Sequence, residues 1–248
     1  MNSDFLMRAV VLAGAASLAA CAGVAKNENT DYRAIVASAD RSEADRQTDQ
    51  RRNPELLLAF TGARPGMRVL DMGAGAGYST ELLARAVGSG GTVYAQDSPG
   101  VSPRAKERFD ERAKTPAMRN VVRVLRDYDD PVPPGVRDLD LITFFFAYHD
   151  TAFMSVDRAR MNHALFGALK PGGVLVIADH SALPGAGTSV AKSLHRIEEA
   201  ALLREIEAAG FRLAAEGDFL RHREDPRDSI VFRPAVPVDE FVLKFIRP

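Results

Sequence analysis

The sequence predicts an α/β fold: a seven-stranded, mostly parallel sheet with helices on both faces and an antiparallel edge. Two observations lead there. From Pro54 to the C-terminus, short apolar runs alternate with segments of helical periodicity, and that order folds into parallel strands joined by crossover helices. The stretch Val69–Thr80, VLDMGAGAGYST, sets an apolar strand, an acid and three alternating glycines ahead of a helix start, a turn in which the backbone can come close to a ligand. At 248 residues, 46% hydrophobic and 26% charged, the chain can bury one substantial core. A formal charge of -1 gives no general field for nucleic acid or an anionic membrane.

The N-terminus reads as a targeting signal. Arg8 precedes an apolar run from Ala9 to Ala20, short for a membrane-spanning helix. Leu18-Ala19-Ala20-Cys21 resembles the lipobox of bacterial lipoproteins, which implies lipid attachment at Cys21. As the sole cysteine, Cys21 cannot form an intramolecular disulfide. Residues 1–21 are therefore assigned to a signal, 22–53 to a tether and N-terminal helices, and 54–248 to the folded domain. Ala22–Asn29 is small and polar, and Asp31–Arg52 is charge-rich, giving one or two exposed helices that stop before Pro54.

Pro54–Phe60 starts a helix at a position that suits proline, and Pro65-Gly66 turns the chain into the first core strand. After the glycines, Leu82, Leu83, Ala86 and Val87 recur at helical spacing, which places one apolar stripe on the sheet. Thr92–Ala95 is the second strand, Val101–Lys114 a polar helix, Asn120–Leu125 the third strand and Leu139–Phe144 the fourth. Val156–Leu169 is helical. Leu169-Lys170-Pro171-Gly172-Gly173 turns into a fifth strand, Val174–Ala178, and Val190–Ala209 reads as one long helix. Arg212–Asp218 and Glu240–Ile246 complete the sheet.

Spacing sorts the ligands that such a glycine turn can serve. A dinucleotide fingerprint, G-x-G-x-x-G, would put its third glycine at Tyr78 or Thr80, and a phosphate loop needs a lysine where there is none between Met67 and Lys106. Asp71-x-Gly73-x-Gly75-x-Gly77 resembles the first motif of class I S-adenosylmethionine (SAM)-dependent methyltransferases, and LKPGG before the fifth strand is a second motif of that family. Within it, GYSTELLARAVG, YHD and LKPGGVLVIADHSA are similar to a group of predicted bacterial methyltransferases. The resemblance covers about Pro54 to Pro248 and implies a Rossmann-like sheet with SAM as cofactor. It places Asp71, Gly73, Gly75, Gly77, Tyr78, Asp97 and Asp127 at the cofactor, and it allows Asp31–Arg52 either to cap that site or to be a solvated lead-in. Asp97, just after the second strand, suits the ribose independently, because one carboxylate can accept two hydroxyls.

Ligands in open α/β sheets bind at the carboxyl ends of the strands, which selects among five histidines. His149 follows the fourth strand, His180 the fifth, and His195 opens the long helix beyond. Methyl transfer requires an aligned acceptor and, for a hydroxyl or acidic carbon, removal of its proton. His149 is the expected general base, positioned by Asp150, with His180 and His195 as alternatives. No His-x-x-x-His or cysteine spacing supports a metal centre, so none is expected. A metal reading would gather His149, Asp150, Asp179 and His180, as in the divalent-ion-dependent catechol methyltransferases. Phe145, Phe146 and Tyr148 line an acceptor pocket or simply fill the core.

FFFAYHD stands where many base N-methyltransferases carry asparagine-proline-proline-aromatic, which disfavours a nucleic-acid acceptor. The expected activity is therefore O- or C-methylation of a small molecule. The alternative is a lipid-anchored SAM- or small-molecule-binding protein with the same fold and no turnover, suggested by a signal that would place the domain in the periplasm or cell envelope. The chain is cytoplasmic if that signal is not used.

Overall fold

The structure is a computed structural model that describes Met1, residues 30–232 and residues 234–248. The signal-like segment, Cys21 and the tether lie outside the described residues. Helices α1 (Tyr32–Val36), α2 (Glu43–Arg52) and α3 (Pro54–Thr61) precede the sheet. Ser42 caps α2 by accepting from the backbone N–H of Asp45 at 3.1 Å, and Pro54 occupies the first turn of α3, where its missing N–H costs nothing. Strand β1 (Arg68–Met72), helix α4 (Tyr78–Val87), β2 (Thr92–Asp97), α5 (Pro103–Arg112), β3 (Val121–Leu125) and β4 (Leu139–Phe145) follow in alternation. The second half comprises α6 (Arg158–Ala168), β5 (Leu169–His180), α7 (Ala191–Leu194), α8 (Glu199–Ala208), β6 (Arg212–Gly217) and β7 (Glu240–Ile246).

The seven strands are ordered β3-β2-β1-β4-β5-β7-β6. The first five pair in parallel, and β7 runs antiparallel to both β5 and β6. Strand order reverses between β1 and β4, so their carboxyl ends open the crevice where ligands bind. Two apolar layers cover the sheet. One packs α6 and α8 residues such as Met161, Leu165 and Leu202 on Leu70, Ile142 and Leu175. The other packs α3 and α4 residues such as Leu57, Leu82 and Leu83 on Val69, Leu141 and Val176. Along β1 and β5, alternate residues therefore serve opposite layers, and both strands are buried on both faces as a central parallel strand must be. Among the described residues no helix is long and apolar enough to cross a membrane.

Two segments differ from expectation. LKPGG is not a simple turn ahead of β5: Leu169 already pairs with Leu139, and the ladder resumes at Leu141 with Val174. Lys170–Gly173 is thus a bulge inside the strand, made possible by Gly172 at φ 76°. The expected long helix from Val190 to Ala209 is broken after Leu194. His195 adopts the left-handed conformation, φ 54° and ψ 48°, and Ile197 forms a parallel bridge with Ser181 beside the end of β5. The cause is the fully buried Arg196, whose guanidinium pairs with Asp225 at 2.7 Å and donates to the carbonyl of Ser181 at 3.0 Å. A continuous helix would carry this charge away from those partners, so the pair overrides the helical periodicity.

Candidate active site

At the end of β1 the chain turns through Gly73, Gly75 and Gly77, all at positive φ. Gly75 donates its N–H to Oδ1 of Asp97 at 3.0 Å, Gly73 donates to Oε1 of Gln96 at 3.3 Å, and Ala74 donates to the carbonyl of Gln96 at 2.9 Å. The turn is thereby fastened to the tip of β2. Asp71 serves it from below. Its Oδ2 accepts from the hydroxyls of Ser79 at 3.0 Å and Thr80 at 2.6 Å, and its Oδ1 accepts from Thr143 at 2.7 Å. The carboxylate is fully buried, and burial raises its pKa while the three hydroxyls lower it. Asp71 therefore joins β1, β4 and the start of α4, and its contacts are with the protein's own hydroxyls.

The glycines differ in what they face. A Cβ added to Gly73 would stand 2.9 Å from Cβ of Ala147 and 3.3 Å from the Tyr128 hydroxyl, whereas one on Gly77 would meet Cδ of Arg112 and the ring of Phe109 at 3.0 Å. Gly73 thus lines the crevice, and Gly77 accommodates α5. Gly73→Ala is expected to lose SAM binding and about 1–2 kcal/mol of stability. Gly77→Ala is expected to lose comparable stability while SAM affinity stays within about threefold, because the new methyl meets α5 and not the crevice. Thermal melts with and without SAM separate the two outcomes.

Asp97 provides the fit test for SAM. It is 3% exposed, and its Oδ2 is buried without a hydrogen-bond partner among the described residues. Burial pushes its pKa up to about 6, partly opposed by the Gly75 N–H and reinforced by the charge of Asp71. An unsatisfied buried carboxylate oxygen beside a glycine turn calls for a donor, and a ribose supplies hydroxyls. The residues present fit SAM. Tyr128, buried and stacked on Phe144 at 5.8 Å, closes the cradle next to Gly73. Asp127 is exposed, and its carbonyl accepts from the N–H of Asp130 in the turn after β3.

The N-terminal helices are fastened to this turn. Tyr78 donates its hydroxyl to Asp49 of α2 at 2.6 Å, so this residue, expected at the cofactor, spends its polar group on α2. Arg112 pairs with Asp45 of α2 at 2.7 Å, pairs with Glu81, and donates from Nε to the carbonyl of Ala76 at 3.0 Å. Of the two readings left open for Asp31–Arg52, this geometry favours a segment packed over the site. Arg52, at its end, lies 4.3 Å from the ring centroid of Phe146 and 5.6 Å from that of Tyr78. Phe146 itself is at φ 57°, a conformation that costs a non-glycine residue about 1–3 kcal/mol and collects at functional sites. Tyr148 is core: it is fully buried and donates to Glu205 at 2.8 Å.

At the ends of β4 and β5 the histidines converge. Asp179, fully buried at the tip of β5, accepts from Nδ1 of His149 at 2.7 Å, from the His149 backbone N–H at 2.8 Å and from the His180 N–H at 2.8 Å. Asp179 therefore positions His149, the part given to Asp150 by sequence. Nε2 of His149 faces Oδ1 of Asp150 at 3.1 Å and Nδ1 of His195 at 3.2 Å. Burial works against a charge on His149, but the carboxylates of Asp179 and Asp150 outweigh it and raise its pKa to about 10. The ring expected from sequence to serve as general base thus sits between the Asp179 carboxylate on Nδ1 and two polar neighbours at Nε2. The helix break places His195, expected from sequence as an alternative base at the start of a long helix, in the cluster. His180 stands beside it, its ring 5.5 Å from that of His149 and its Nδ1 2.9 Å from Oε1 of Glu240. Sequence reasoning missed Gln96, Tyr128, Thr143 and Arg52. Their signals, such as a polar residue ending a strand or an arginine closing a helix, are too common to single out.

Comparison with known proteins agrees with this geometry. Residues 69–173 match a family model described as a methyltransferase domain. The chain is 32% identical over 114 residues to a protein-L-isoaspartate O-methyltransferase from Ignicoccus hospitalis, a match covering 46% of this chain and 47% of that one. It is 31% identical over 122 residues to the ubiquinone/menaquinone biosynthesis C-methyltransferase UbiE from Vibrio vulnificus, covering 49% and 44%. The chain thus matches about half the length of these curated relatives. A solved SAM-dependent methyltransferase from Aquifex aeolicus superposes with a TM-score of 0.59 at 23% identity, covering 88% of this chain and 99% of that one, a likeness of fold.

Proposed function

We propose that the protein, whose residues 69–173 match a methyltransferase domain, uses SAM to methylate an oxygen or an acidic carbon of a small-molecule acceptor. The observation that carries this reading is the unpartnered Oδ2 of Asp97 beside the glycine turn. Asp97 would accept the ribose hydroxyls, Gly73 leaves room for the cofactor to approach, and Tyr128 and Arg52 border the cradle. SAM supplies a methyl group already activated by its sulfonium. The chain's own task is then alignment and proton handling, and the cluster of His149, Asp150, His180 and His195 is suited to it. His149, held by Asp179, turns Nε2 toward the opening, which the half-buried His180 and His195 also border. The curated relatives include an O- and a C-methyltransferase, which agrees with either acceptor atom. A net charge near zero favours no nucleic-acid partner. The lipobox-like Leu18–Cys21 supports a lipid-anchored place at the cell envelope.

The test is transfer of labelled methyl from SAM to a panel of phenols, enols, carboxylates and quinols. Turnover of at least one class, with His149→Ala lowering kcat more than it raises KM, is the expected result. A folded protein that binds SAM and labels none of them would contradict methyl transfer to such acceptors.

A further inference from the structure

The three side chains at the acceptor end form a triangle with no single donor-acceptor order. Nε2 of His149, Oδ1 of Asp150 and Nδ1 of His195 stand 3.1, 3.2 and 3.2 Å apart. One proton on either imidazole can point at one neighbour at a time, so hydrogen bonding alone leaves a side of the triangle unmet. Atoms bound at about 2.1 Å to a common ion are about 3.0 Å apart at right angles and about 3.4 Å apart in a tetrahedron. The observed sides fall between these values. The geometry points to a divalent transition-metal site formed by His149, Asp150 and His195.

Three further features support it. Asp179 binds Nδ1 of His149 at 2.7 Å and also accepts two backbone N–H groups, which fixes the ring with Nε2 toward the triangle. A carboxylate behind a histidine is the arrangement that orients metal-bound imidazoles. The two carboxylates of Asp179 and Asp150 around one buried imidazole leave a net negative site that a cation would complete, the ion taking the place of the Nε2 proton. On the outer side, the solvent-exposed rings of Phe153 and Phe232 pack against His195 with centroids 5.7 and 4.7 Å away, contacts that help to hold its imidazole at the triangle. Two imidazoles and one carboxylate select Zn²⁺, Fe²⁺, Mn²⁺ or Cu²⁺ over Mg²⁺ and Ca²⁺. Three protein atoms leave positions for an oxygen of the acceptor, whose proton would then be lost more readily on coordination.

The site is read without SAM, so its failure and that of methyl transfer are separate. The full chain, stripped with a chelator, is titrated with Co²⁺ and followed by visible absorption, and Zn²⁺ is then used to displace it. One equivalent of Co²⁺ should bind with the bands of a nitrogen and oxygen ligand set. His195→Ala and the near-isosteric Asp150→Asn should each weaken binding tenfold or more. Asp179→Asn should weaken it about 10–100-fold, and His163→Ala, on the exposed face of α6, should leave it unchanged. A folded protein without Co²⁺ bands, or binding undiminished in His195→Ala and Asp150→Asn, would overturn the assignment.

Discussion

Asp97→Asn is expected to weaken SAM binding about tenfold or more while making the ligand-free protein more stable. A hydrogen bond to a charged group contributes about 1.5–3 kcal/mol, which corresponds to roughly ten- to a hundredfold in affinity. The stability gain follows from linkage. Burial places the folded-state pKa of Asp97 at about 6, above the unfolded value near 3.9, so the folded chain takes up a proton in the intervening range. Above pH 6 the ionised carboxylate, its Oδ2 unmet among the described residues, opposes folding by up to roughly 3 kcal/mol. Below about pH 4 the penalty vanishes. Asparagine keeps the acceptor for the Gly75 N–H and removes the charge, so denaturant melts should show the gain at pH 8 and little at pH 4. In the wild-type chain, SAM affinity should fall as the pH drops through 6. Equal SAM affinity in the variant, or a loss of stability at pH 8, would show that Asp97 is a structural anchor and not the ribose ligand.

Asp71→Ala is expected to destabilise the protein by about 3–5 kcal/mol and to abolish SAM binding, whereas Asp71→Asn should retain most of both. Removing the carboxylate leaves the hydroxyls of Ser79, Thr80 and Thr143 unmet in the core, each at about 1–3 kcal/mol, together with a cavity. Asparagine still presents an acceptor and a donor to hydroxyls that can rotate, and it removes a charge that burial disfavours. If Asp71 contacted the cofactor's ammonium directly, Asp71→Asn would instead lose affinity at unchanged stability. Chemical denaturation and SAM titration of both variants decide between these roles.

The sheet is legible in the sequence because its signals are local. Apolar runs mark β1 to β7 nearly as observed, and the spacing of Gly73, Gly75 and Gly77 weakens the dinucleotide reading as the missing lysine weakens the phosphate-loop one. What the sequence hides depends on partners distant along the chain. The periodicity of Val190–Ala209 is helical, but Arg196 answers to Asp225, twenty-nine positions away, and the resulting break brings His195 beside His149. Tyr78 reads as a ligand contact because it follows the glycines, yet Asp49 takes its hydroxyl. The histidine cluster shows the same limit: its members come from the ends of β4 and β5 and from the C-terminus of α7. Their convergence is a property of strand order, and Asp179, which positions His149, is one acid among many in sequence.

The most direct measurement of SAM binding at this crevice is calorimetric titration of the full chain with SAM and with S-adenosylhomocysteine. Both should bind at one site, and both affinities should fall about tenfold or more in Asp97→Asn. Absence of binding heat with either ligand at several temperatures, for a protein shown to be folded, would contradict it.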